Sequence, residues 1–112
     1  MKLVSAAEAV KLIKSGDSVF IQGSTSIPEV LVQAMTDRAP ELRDVKVYSA
    51  FAIGRFDAPY AKAELRDSFE PLSFFVANNL RNAIKEGVAQ PIPAFLGEIP
   101  CLFRSGQVPL DV

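Results

Sequence analysis

The feature that most limits what this chain can become is a set of short, unbroken apolar blocks. Each is too short for a helix, and most are followed by a segment with helical spacing. Val19, Phe20 and Ile21 form the first block. Their β-branched and aromatic content suits a strand buried on both faces, and residues 18–22 are predicted as one. Residues 45–50 and 72–77 read as second and third strands on the same grounds. Residues 92–96 read as a fourth, which Pro91 and Pro93 confine to an edge or an irregular position. Nearly continuous apolar strands alternating with amphipathic helices predict an α/β fold, a mainly parallel sheet with helices on both faces.

The intervening segments carry helix signals. Ser5 with Glu8 fits a capping box, Ala6, Ala9, Val10 and Ile13 share one helical face, and Gly16 ends the helix. Ser26 with Glu29 fits a second box, with Pro28 in the first turn and Ile27, Val30, Leu31, Ala34 and Met35 as the apolar stripe. Pro40 lies beyond its end. Asn78 and Asn79 lead into a short helix around Leu80, Ala83 and Ile84, closed by Gly87, and a brief helix is expected over residues 98–103. Residues 51–70, with Gly54, Pro59 and scattered charges, show no regular pattern. Pro109-Leu110-Asp111-Val112 reads as the opening of another strand, so residues 1–112 are expected to form one incomplete domain.

Composition removes several classes of function. Of 112 residues, 49% are hydrophobic, enough for one packed core. Twelve basic side chains face thirteen acidic ones, so no strong field exists to attract nucleic acid or an anionic membrane, and neither is an expected partner. No apolar run approaches the roughly 20 residues of a membrane span. Lys2, Ser5 and Glu8 interrupt the opening residues, unlike a secretory signal. The lone Cys101 has no internal disulfide partner and fits a reducing compartment, so a cytoplasmic location is expected. Histidine is absent, which removes the commonest base near neutral pH and the usual zinc ligand. Serine or cysteine triads and Cys/His metal sites are thereby excluded within this chain, and neither a metal nor a cofactor is expected.

Several segments, taken in order, resemble one family. Ser5-Ala6-Ala7-Glu8-Ala9-Val10, Ile13-Lys14-Ser15-Gly16-Asp17 and Val19-Phe20-Ile21 are followed by residues 23–28 and 31–34. Then come Arg81-Asn82-Ala83-Ile84, Glu86-Gly87, Pro93, Phe95-Leu96, Glu98-Ile99-Pro100 and Pro109-Leu110-Asp111-Val112. This succession resembles the N-terminal part of class I coenzyme A transferases of the acetyl-CoA hydrolase/transferase type, including the 4-hydroxybutyrate/acetate transferases. The middle, near residues 51–67, matches loosely. The resemblance implies a two-domain enzyme that moves CoA between an acyl-CoA and a small carboxylate, with coenzyme A as substrate rather than cofactor. It implies a glutamate that attacks the thioester and is carried by the second half, so no catalytic residue is assigned within this chain. It also allows a homo-oligomer. The competing reading is a non-enzymatic interaction or ligand-binding subunit whose partner chain carries the nucleophile. A nucleotide-binding α/β protein is a third, but neither G-x-x-x-x-G-K-[ST] nor G-x-G-x-x-G occurs.

The candidate substrate-binding residues are Gly23, Ser24 and Thr25, between a buried strand and a helix start. Ligands of α/β sheets bind at the carboxyl ends of strands, and free N–H groups there could hold a carboxylate or acyl oxygen. The alternative is that glycine permits a tight turn and the hydroxyls cap a helix. The family often has glycine or alanine where Ser24 stands, which weakens a role for that side chain. Arg81, beside Asn78 and Asn79, is weighed against a CoA phosphate and read as solvated, with the asparagines capping. Glu98 is read as a helix start rather than the nucleophile, and Cys101 as a small buried hydrophobe.

Overall fold

A computed structural model describes residues 2–52 and 57–112. Gly54, named above, lies outside them. The order is α1 (Ala6–Ala9), β1 (Ser18–Ile21), α2 (Glu29–Asp37), β2 (Val45–Ser49), β3 (Phe69–Ser73), α3 (Asn78–Lys85), β4 (Gln90–Pro91) and α4 (Ile99–Arg104). The four strands form one parallel sheet in the order β1-β2-β3-β4.

Because side chains alternate along a strand, the sheet feeds two cores. Val19 and Ile21 of β1, Val45 and Val47 of β2 and Phe69 of β3 join Val10, Ile13, Val32, Met35, Leu42, Tyr60 and Leu80 on one face. Phe20, Tyr48, Leu72 and Phe74 meet Ile99, Leu102, Phe103 and Val108 on the other. Phe103 sets its ring edge-on to Phe20 and Phe74, at centroid separations of 5.5 and 5.8 Å. The expected α/β sheet with helices on both faces is therefore present. The connections from β1 out to β4 contribute Val32, Tyr60 and Leu80 to the first core, whereas α4 returns across the second face. The return ends beside β1. Phe20 N–H donates to the Val112 carbonyl at 2.9 Å, and Val112 N–H donates to that of Ser18 at 3.2 Å. These two bonds bracket Val19 as a parallel pair does. Asp111 reinforces the contact by accepting the Ser18 N–H at 2.8 Å through Oδ2.

Two arginines stitch the amino end of the sheet. The Arg38 guanidinium donates to the carbonyls of Val10 and Ile13, joining the end of α2 to the turn after α1. Arg43 donates to the carbonyls of Ala39 and Leu42 and to Ser68 Oγ, while its own backbone pairs with Ser15 Oγ and the Gly16 N–H.

Several local expectations are corrected. Ser5 accepts the Glu8 N–H at 3.2 Å, but Glu8 turns to Lys11 instead of closing the box, and the helix tightens into a 3-10 turn at Val10–Leu12. In α2 the buried face is Val32, Met35 and Thr36, not the stripe through Val30 and Leu31, which are 74% and 40% exposed. Leu31 instead lines an apolar groove of about 270 Å³ with Leu12, Ile13, Ile21, Met35 and Val112. The third strand runs over Phe69–Ser73 rather than residues 72–77. Pro71 is tolerated inside it because Phe74 N–H bonds Ser49 while Ile92 N–H bonds Ser73, so odd-numbered groups of β3 face β4. Pairing with β4 begins only at Leu72, so no neighbouring strand is there to miss the Pro71 donor. The fourth strand is Gln90–Pro91, displaced from residues 92–96. Gly87, at φ +70°, follows α3 in the left-handed conformation as expected.

Tyr60 lies in the first core at 1% exposure, and burial pushes its phenol from 10.0 up to about 12, with a Ser49 hydrogen bond opposing the shift. A raised pKa means that the neutral phenol stabilises the fold below pH 10 and that this contribution disappears as pH rises towards 12. Urea titrations between pH 9 and 12 should show about 2 to 3 kcal/mol of stability lost across that window, and Tyr60→Phe should flatten the loss. An equally steep decline in the Phe variant would assign it to other groups.

Candidate functional site

The loop after β1 is shaped by one close approach. Gly23 is extended, and a Cβ built on it would stand 2.6 Å from the Phe51 carbonyl oxygen and 3.0 Å from the Phe51 nitrogen and carbonyl carbon. Any side chain at position 23 would thus collide with backbone, which cannot swing aside as a flexible side chain does. The next residue, Ser24, takes φ +60° and donates its N–H to the same oxygen at 2.6 Å. The loops after β1 and β2 are therefore one unit. Ser24–Ser26 form a 3-10 turn, Ile27 is extended, and Pro28 occupies the N-cap of α2 with no side-chain cap. This corrects the expected Ser26–Glu29 box and the placement of Pro28 within the first turn. The side chains of Ser24, Thr25 and Ser26 are left exposed at the carboxyl edge of the sheet. Gly23 is required by this close approach rather than by a left-handed turn, and the hydroxyls that follow it do not cap α2.

The loops after β2 and β3 begin alike. Ser49 and Ser73 are register partners, both buried, and each is followed two positions later by a phenylalanine. Ser73 Oγ donates to the Phe75 carbonyl at 2.7 Å. The rings of Phe51 and Phe75 pack together at 4.5 Å with a 45° tilt, yet remain 36% and 53% exposed. The sequence reading passed over this pair. The repeated Ser-x-Phe after two apolar strands is the signal that could have shown it.

The other weighed residues fall elsewhere. Ala77, not an asparagine, is the N-cap of α3, and Asn78 and Asn79 are its first residues without a side-chain cap. Arg81 is exposed. Glu98 is the N-cap of α4, and its carboxylate accepts the Phe95 N–H at 3.1 Å. Cys101 is exposed, not buried as expected, because α4 turns Ile99 inward and Leu102 and Phe103 partly so. Among the described residues no cluster of three or more His, Cys, Asp or Glu could hold a metal ion, and no helix is long and apolar enough to cross a membrane.

The chain thus winds outward over one face of a parallel sheet and returns over the other to the far side of β1. The winding reverses beside β1, whose carboxyl end carries the Gly23 loop. The chain belongs to the acetyl-CoA hydrolase/transferase family, matching its N-terminal domain over residues 1–112. It is 35% identical over 107 residues to a succinyl-CoA:acetate/propanoyl-CoA:succinate CoA transferase of Fasciola hepatica, covering 94% of this chain and 22% of that protein. It is 29% identical over 111 residues to the 4-hydroxybutyrate coenzyme A transferase of Clostridium kluyveri, covering 99% of this chain and 25% of the relative. Among solved structures, RipA from Yersinia pestis superposes with a TM-score of 0.83 at 26% identity, over 98% of this chain and 27% of that one. The chain therefore spans about a quarter of the length of the relatives it matches.

Gly23→Val should lower the stability of the chain by about 2 kcal/mol or more, since backbone must shift to admit the side chain. Ser24→Ala should change it by no more than about 0.5 kcal/mol. Paired urea denaturation curves check this, and equal midpoints for the two variants would mean the Gly23–Phe51 contact does not constrain the loop.

Proposed function

We propose that this chain is the N-terminal domain of an acyl-CoA:carboxylate CoA-transferase or a related acyl-CoA hydrolase, and that Gly23, Ser24 and Thr25 border its substrate crevice. The observation that carries the proposal is the coincidence of this family's N-terminal domain with a reversal of winding beside that loop. A parallel sheet of this kind binds substrate outside its carboxyl edge, where the exposed Thr25 hydroxyl would donate to a carboxylate or to a thioester oxygen.

The chemistry then follows from carboxylate nucleophilic catalysis. A glutamate outside these 112 residues attacks the thioester carbonyl and expels CoA thiolate, forming an acyl-glutamyl anhydride. The thiolate attacks the glutamyl carbonyl, releasing the first carboxylate and leaving a glutamyl-CoA thioester. An acceptor carboxylate reverses the two steps, which yields the new acyl-CoA and restores the glutamate. Water in place of the acceptor gives hydrolysis. Glu98 is unsuited to the nucleophilic role, being exposed and engaged in holding the Phe95 backbone.

Two comparisons test the proposal. The chain by itself should move no CoA from acetyl-CoA to a carboxylate above background, whereas a polypeptide or complex that adds the remainder of the family's length should do so. In that complete enzyme Glu98→Gln should keep turnover within about threefold of the parent, because it still offers the Phe95 N–H an amide oxygen. Turnover by the chain alone that survives purification and disappears in Glu98→Gln would overturn both assignments.

A further inference from the structure

The carboxyl edge carries an unexplained expense. Phe51 and Phe75 each hold a large ring in solvent when a polar residue would leave neither core disturbed. They are not loosely placed. The Phe51 carbonyl is fixed by the Ser24 N–H and abuts Gly23, while the Phe75 carbonyl is fixed by Ser73 Oγ. Register pairing of Ser49 with Ser73 sets the two backbones side by side, and the rings are joined at 4.5 Å. The result is a rigid aromatic wall directly beside the hydroxyl-bearing loop 23–25.

We infer that Phe51 and Phe75 are specificity-determining residues that pack against the alkyl part of the acyl group, so that the domain favours uncharged acyl chains longer than acetyl. The inference rests on the transferase reading above and deepens it. A thioester or carboxylate has a polar end and an apolar end. The Thr25 hydroxyl suits the first, and the wall next to it suits the second. Acetyl offers the rings one methyl group, whereas butyryl offers two further methylenes, and each methylene in an apolar subsite changes specificity by about tenfold or more when fully enclosed. A half-open wall supplies part of that. Donor and acceptor chains occupy the same place in turn, so the preference applies to both.

The experiment compares acetyl-CoA with butyryl-CoA as donors in the complete transferase carrying this domain. Phe75→Ala should lower kcat/KM for both donors, but lower it about fivefold or more further for butyryl-CoA. Phe51→Leu and Phe75→Leu keep apolar bulk and lose only the ring face, and should shift the ratio in the same direction by about twofold. These leucine variants keep the test decisive if the alanine variant folds poorly. A butyryl-to-acetyl ratio equal to the parent's in the Phe51→Leu and Phe75→Leu variants overturns the aromatic wall while the transferase reading stands. A parent enzyme that transfers CoA from neither donor overturns both.

Discussion

Burial of both faces of β2 is the constraint on which the rest of the structure depends. Val45 and Val47 are wholly enclosed on one side and Tyr48 is buried on the other, where only Lys46 at the amino end reaches water. A parallel strand so placed must have layers above and below it. The connections through α2, residues 58–65 and α3 provide the first layer. The second is thinner, and α4 with Phe103 and Val108 supplies most of it. That unequal cover explains the route of the chain. Having used one face for every outward crossover, it can reach the other only by crossing back, and in doing so it arrives at the free side of β1.

This route also accounts for the site. Strands in a parallel sheet deliver their loops to one edge, so residues far apart in sequence converge there without contributing to either core. Gly23, Phe51 and Phe75 come from loops after three adjacent strands. Backbone contacts hold Gly23 against Phe51, while strand register and the packed rings set Phe51 beside Phe75. The Phe51 carbonyl serves the Ser24 donor and fills the space that a Gly23 side chain would need. Such geometry leaves hydroxyls and rings at the surface while holding their main chains still.

Much of the architecture was legible in the sequence because short apolar blocks admit few alternatives. The expected strands over residues 18–22 and 45–50 each differ from β1 and β2 by one residue at the end. β3 was misplaced because Glu70 and Pro71 look hostile to a strand, and only the staggered start of β4 makes that proline harmless. The phase of α2 was misread because two stripes compete in it. The buried one includes Thr36, whose hydroxyl is satisfied by the Val32 carbonyl at 2.8 Å and so behaves as core despite its polarity. The Gly23 loop was legible as a place, from its position between strand and helix. The role of Phe51 beside it was not, because a contact made by a carbonyl oxygen leaves no trace in residue type.

The arginine stitching at the other edge has a consequence for how such a domain can change over time. Arg38 and Arg43 bind backbone carbonyls and depend little on the neighbouring side chains, so the amino edge tolerates sequence drift in the helices it joins. Stability anchored there is independent of the loops at the carboxyl edge. Descendants of one ancestral domain can therefore exchange residues of the carboxyl-edge loops while inheriting an unchanged foundation, so those loops can diverge without a redesigned fold.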